Sequence, residues 1–167
     1  MRLLRRLPSA TVRQTGFSLI EMLVVLALLG VLSTIVLPTL TLANERQREV
    51  ELKHDLWLIR DALDAYHAAA IQGAVPATDG LFGYPPTLQT LVDGIPDQRA
   101  GHSGERLVFL RHLPRDPFAD PTVAAEDSWT LRDYQSPADA PKSGDSVYDV
   151  HSQSTAVAID GTAVKDW

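Results

Sequence analysis

Apolar positions along the chain follow two different regimes. No charged residue occurs between positions 22 and 44. As a helix rising about 1.5 Å per residue, that run is long enough to cross the roughly 30 Å of a bilayer's hydrocarbon core. Beyond Asn44 the sequence becomes charged but keeps a helical period. Leu52, Leu56, Ile59, Leu63, Tyr66 and Ala70 recur at alternating steps of four and three, which puts them on one face. Glu45, Arg46, Arg48, Glu49, Asp55, Arg60 and Asp64 fall mostly elsewhere. The two patterns join into one predicted helix of about 55 residues. Its stripe is expected to pack on a sheet of its own domain, in preference to forming a coiled-coil seam. Trp57 is placed at the edge of that packing, and His54 and Asp55 in solvent. Pro38 removes one backbone donor inside the apolar run and crowds the carbonyl of Thr34, which predicts a kink there.

Gly73 and Pro76 end the long helix, and residues 73–86 read as loop. Residues 86–92 predict a short helix stopped at Gly94, followed by a polar stretch over 95–106. Three short runs predict strands at 129–134, 147–152 and 155–159, the last apolar and β-branched at alternate positions. Asp160-Gly161 then forms a hairpin-type turn into residues 162–164. The expected class is α+β, a long N-terminal helix packed on a small antiparallel β-sheet.

The mouth of the apolar run carries the chemistry. Sixteen residues containing Arg2, Arg5, Arg6, Arg13 and no acid precede Phe17-Ser18-Leu19-Ile20-Glu21. Basic flanks stay cytoplasmic, which puts the N-terminus inside and the chain beyond Asn44 outside. A carboxylate in a membrane segment is expensive, about 2.5–3.5 kcal/mol at the bilayer centre, so Glu21 asks for a partner. The residues alone leave two plain readings open. One is a single-pass anchor with Glu21 in the interface. The other is a secretory signal cut after Thr41-Leu42-Ala43, although the run is long for one and Pro38 fits it poorly.

Gly16, followed by Phe17-Ser18-Leu19-Ile20-Glu21-Met22-Leu23-Val24-Val25 and a later proline, resembles the processing site and N-terminal helix of the type IV pilin-like superfamily. Leu113-Pro114-Arg115-Asp116-Pro117-Phe118, Tyr84-Pro85 and Trp167 extend that resemblance towards the major pseudopilin of type II secretion systems. The resemblance implies a prepilin leader over 1–16, a transmembrane and filament-core helix over 17–43, and a periplasmic pilin-like domain over 44–167. Within that domain it implies an amphipathic helix at 44–71, variable loops and a short helix at 72–128, and the sheet at 129–167. It further implies cleavage between Gly16 and Phe17 by a prepilin peptidase, N-methylation of Phe17, and pairing of Glu21 with the Phe17 amine of a neighbouring subunit. The implied partners are further copies in a filament, other pseudopilins and inner-membrane secretion components, in the bacterial inner membrane with the C-terminal domain periplasmic. A type IV pilus pilin serving adhesion, motility or DNA uptake is an alternative. So is a membrane-anchored periplasmic binding domain that never polymerises.

Charge and composition refine this picture. The chain carries 15 basic and 21 acidic residues, and loss of the first sixteen residues leaves 11 against 21. So acidic a body argues against nucleic acid as a partner. The absence of cysteine excludes a disulfide and leans towards the pseudopilin branch. Major pseudopilins often hold calcium in a loop between a final strand and a C-terminal tryptophan. Here Asp149-Val150-His151-Ser152 and Trp167 frame that segment, with Ser154, Asp160 and Asp166 as a weak oxygen set and no other cofactor expected. His54, His67, His102, His112 and His151 are scattered without zinc spacing. No phosphate loop, nucleophile elbow or cysteine nucleophile occurs, so no enzymatic activity is expected.

Overall fold

A computed structural model describes residues 16–76, 81–102, 104–137 and 139–167, without the side chains of 34–40. The arginine-rich residues 1–15 lie outside this set. The chain divides into two units, Met1–Leu42 and Ala43–Trp167. The assigned helix α1, Leu19–Ile71, is 53 residues long and contributes to both. Pro38 falls within it, where the helical assignment is continuous.

The first turn of α1 closes with Met22 N–H donating to the Ser18 carbonyl at 3.1 Å. Glu21 sits in that turn, where the positive end of the helix dipole favours an acid. The far end is a Schellman motif: Gly73 N–H bonds the Ala70 carbonyl (3.0 Å) and Ala74 N–H the Ala69 carbonyl (2.9 Å). Gly73 has φ 71°, a conformation that glycine alone adopts freely.

The second unit forms around the predicted stripe. Leu52, Leu56, Ile59, Leu63 and Tyr66 are buried together with Ala62, and they meet Leu88, Leu91, Leu110, Trp129, Val147, Val150, Ala158 and Val164 in one core. The stripe therefore packs on its own domain. Helix α2, Gln89–Asp93, begins three residues later than predicted and ends at Gly94. At φ 68°, a Cβ on Gly94 would stand 2.6 Å from the Leu107 carbonyl oxygen, so glycine permits the close approach of the two backbones. The polar stretch that follows holds a minimal antiparallel pair, β1 (Ile95–Pro96) and β2 (Arg106–Leu107).

A second antiparallel pair carries the C-terminal half. Strand β3, Trp129–Arg132, runs against β4, Asp149–Ser152, with Trp129 opposite Ser152 and Leu131 opposite Val150. Both are shorter than predicted. Asp133 ends β3 by accepting from Ser146 N–H and Oγ–H and from Gln135 N–H, which turns the chain out of the ladder. The expected strand at 155–159 is not formed. One isolated bridge, Val157 to Ala163, remains, and Val157 and Ile159 point to solvent. The serines explain this: Ser152 Oγ accepts from Ser154 N–H just before the segment and Ser154 Oγ from Ala156 N–H within it, which turns the chain and diverts an amide donor that a strand would need. Val164–Asp166 is a 3-10 turn.

The turn at Asp116 ties these parts together. Its carboxylate is 1% exposed and accepts from Phe118 N–H (2.8 Å) and Ser152 Oγ–H (2.6 Å), while its N–H donates to Ser128 Oγ (3.1 Å). Trp129 Nε1–H donates to the Pro114 carbonyl at 3.0 Å.

Two expectations about α1 are corrected. Trp57 is 76% exposed, because it lies close to opposite the buried stripe. Asp55 is buried, because its position one turn before Ile59 puts it on the core side. Truncating Leu52, which is fully buried, to alanine is therefore expected to cost about 2–5 kcal/mol. Trp57→Ala should change stability by no more than about 0.5 kcal/mol in denaturant unfolding followed by tryptophan signals.

Candidate functional site

In the first unit the helix is apolar around its circumference. Phe17 and Leu19 are 75% and 78% exposed, and Ile20, Met22, Leu23, Val24, Val25 and Leu26 are exposed in succession. Consecutive exposed apolar residues cover every face of a helix, so no amphipathic split is available. Glu21 is exposed among them and has no partner among the described residues. Ser33 Oγ–H donates to the Leu29 carbonyl at 2.8 Å and so satisfies its hydroxyl within the helix. Among the described residues no helix is long and apolar enough to cross a membrane; the side chains of the apolar run are described over 22–33 and 41–44.

In the second unit a charged flank of α1 grips the C-terminal segment. Glu49, Lys53 and Arg60, spaced by four and seven, share one side of the helix. A Glu49 carboxylate oxygen accepts from Ile159 N–H (2.6 Å), and Lys53 Nζ stands 3.9 Å over the Trp167 ring. Arg60 Nε–H donates to Asp149 Oδ1 (2.8 Å), and Nη2–H donates to the main-chain oxygens of Val150 (3.0 Å) and Trp167 (2.9 Å). Sequence reading missed this grip. Arg60 looked like one more solvated charge, and its partners lie about ninety residues away or more.

The residues expected to offer calcium ligands are differently engaged. Asp160 Oδ1 accepts from Thr162 N–H (2.9 Å) and Oγ1–H (2.6 Å), which lowers its pKa below the usual carboxylate range. Ser154 Oγ holds an amide, and Asp166 lines an open cleft with Lys165 and His151. Among the described residues, Asp97, His102 and Glu105 do gather three ligating groups. There, however, Arg99 already covers the Asp97 carboxylate with Nε and Nη2, the latter at 2.5 Å.

Against this geometry stand three relatives. Residues 12–37 match the family model described as the prokaryotic N-terminal methylation motif. The chain is 30% identical over 112 residues to the type II secretion system core protein G of Aeromonas hydrophila, covering 65% of this chain and 71% of that protein. The chain belongs to that family. The core protein G of Klebsiella pneumoniae is 31% identical over 106 residues, 64% of this chain and 70% of its own. That of Escherichia coli K12 is 29% identical over 119 residues, 68% and 73%. No solved structure matches. The methylation motif of this core protein G relative spans Gly16, Phe17 and Glu21, so the exposed start of the apolar helix is the part that the family model describes.

Two buried or paired carboxylates give opposite pH signatures. Burial, reinforced by Glu51, raises the Asp55 pKa. A raised carboxyl pKa opposes folding above that pKa, and the opposition vanishes as pH falls below the ordinary value of 3.8. Asp55→Asn should therefore raise the denaturant midpoint at pH 7, with the advantage shrinking on acidification. Hydrogen bonds from Arg99 hold Asp97 down at about 2. That contribution is present above the ordinary 3.8 and is lost as pH falls through about 2, so Arg99→Gln should move acid unfolding to higher pH.

Proposed function

We propose that this chain is the pseudopilin subunit of a type II secretion system, a structural protein and not an enzyme. Its copies assemble into a periplasmic filament that drives folded proteins outward. The observation that carries the reading is the helix start, apolar on all sides and bearing one exposed carboxylate, Glu21, directly after Gly16-Phe17. Fifteen described helical positions from Leu19 to Ser33 contain that single charge. Such a surface is tolerated in lipid or against other copies of itself, and not in water. The run through residue 44 forms the single anchor in the inner membrane, with residues beyond it in the periplasm.

Cleavage between Gly16 and Phe17 by a prepilin peptidase does more than shorten the chain. Before it, the Phe17 nitrogen is a neutral amide. Afterwards it is an amine, which remains basic when N-methylated and carries positive charge at neutral pH. Processing thus creates a counter-ion for Glu21, and the Glu21 of one copy meets the Phe17 amine of the next. A charge left unpaired in an apolar surround is strongly unfavourable, so the pair selects one axial register over slipped ones. Pro38 supplies a place where the helix loosens as copies pack.

A Cβ on Gly16 would meet no described atom within 4 Å, so a small substitution there is expected to leave the fold undisturbed. Gly16→Ala is expected to hold the protein at precursor mass, with no N-methylated phenylalanine in intact-mass or N-terminal analysis. A normally processed Gly16→Ala protein would contradict the cleavage reading.

A further inference from the structure

The family resemblance places a calcium ion in the segment between the last strand and Trp167, and the residues here do not fit one. Calcium takes six to eight oxygens at about 2.3–2.6 Å, several of them carboxylates. Here the oxygens that converge across the segment are Asp149 Oδ1 and the main-chain oxygens of Val150 and Trp167, and all three converge on one guanidinium. Asp160, the remaining acid in the turn, faces Thr162. No cluster of three acidic or histidine ligands forms in this segment among the described residues.

We propose that Arg60 is a built-in cation: its guanidinium closes the segment from Asp149 to Trp167 onto α1, so that closure needs no divalent ion. The chemistry suits the residue. A guanidinium presents five N–H donors in a rigid fork and keeps its charge at any physiological pH. Three of these donor contacts bridge a side-chain carboxylate on β4 and two main-chain oxygens that are seventeen residues apart in sequence. A hydrated ion would have to be captured from solution and released with its concentration, whereas Arg60 is fixed at a helix position one residue from the buried Ile59.

The surrounding contacts complete the closure. His151 brackets the same groups, with Nε2 3.4 Å from Asp149 Oδ2 and Nδ1 3.3 Å from the Trp167 oxygen. Trp167 Nε1–H donates to Thr162 Oγ1 (2.7 Å), which in turn donates to Asp160. The tryptophan ring lies under Lys53, and Glu49 fixes Ile159 N–H. One flank of α1 therefore holds the segment at three points, and only the Arg60 point collects several oxygens as a metal ion would.

This inference is independent of filament assembly, and its failure would leave that reading standing. The test uses the full-length protein in detergent micelles. Its three tryptophans, Trp57, Trp129 and Trp167, all belong to the second unit and so report on it alone by near-ultraviolet circular dichroism. The wild-type thermal midpoint is expected to be the same in EGTA and in calcium at the roughly millimolar level that saturates extracellular sites. Arg60→Met is expected to lower the midpoint by about 5 °C or more, and Arg60→Lys to recover only part of that, since a point charge cannot span the fork. Asp149→Asn should add little to the Arg60→Met loss. A wild-type midpoint raised by calcium, or an Arg60→Met protein that melts like wild type, would overturn the proposal. The calcium comparison needs no variant, so it decides even if Arg60→Met fails to fold.

Discussion

An apolar helix surface that water surrounds on every side cannot persist alone, and the molecule's organisation follows from that constraint. Residues from Phe17 to Leu32 expose large hydrophobic side chains around the whole circumference. Among the described residues of the first unit, none covers them. On the proposed reading the cover comes from lipid or from other copies, and the same surface serves both, because neither environment asks for a polar face. What distinguishes the two is Glu21. On the proposed reading its charge is a liability in lipid and a register mark in an assembly once a counter-ion exists.

The second unit solves a different problem with the continuation of the same helix. Leu52, Leu56, Ile59, Ala62, Leu63 and Tyr66 form one stripe of it, and they are buried by loops and strands of the same chain. The rest of the circumference is divided by task. The flank bearing Glu49, Lys53 and Arg60 fastens the C-terminal segment, while Val50 and Trp57 remain exposed close to opposite the core. With two short strand pairs and no disulfide, such a domain depends on side chains reaching back to the helix. Arg60 does so from α1 to Asp149 at the start of β4, while Asp116 ties its own turn to β4 through Ser152.

The parts legible in the sequence were those fixed by local periodicity or by a contiguous motif. The stripe from Leu52 to Tyr66, the stop at Gly73 and Gly94, and the start of the apolar run are of this kind. The third strand was misread because β-branched Val157 and Ile159 suggested a ladder, whereas Ser152 and Ser154 had already turned the chain and claimed a donor. Asp55 and Trp57 were misread for one common reason. Residue type argued for one face of the helix, and the angular position put each on the other. Arg60 was illegible because its partners are distant in sequence, and nothing local marks a charge as bound.

The central claim is that Glu21 works through a neighbouring copy, and in-cell cross-linking of Glu21→Ala tests it most directly. The account predicts that Glu21→Ala is inserted and cleaved after Gly16 like wild type but loses the ladder of cross-linked multimers that wild type gives. A wild-type ladder from Glu21→Ala would contradict it.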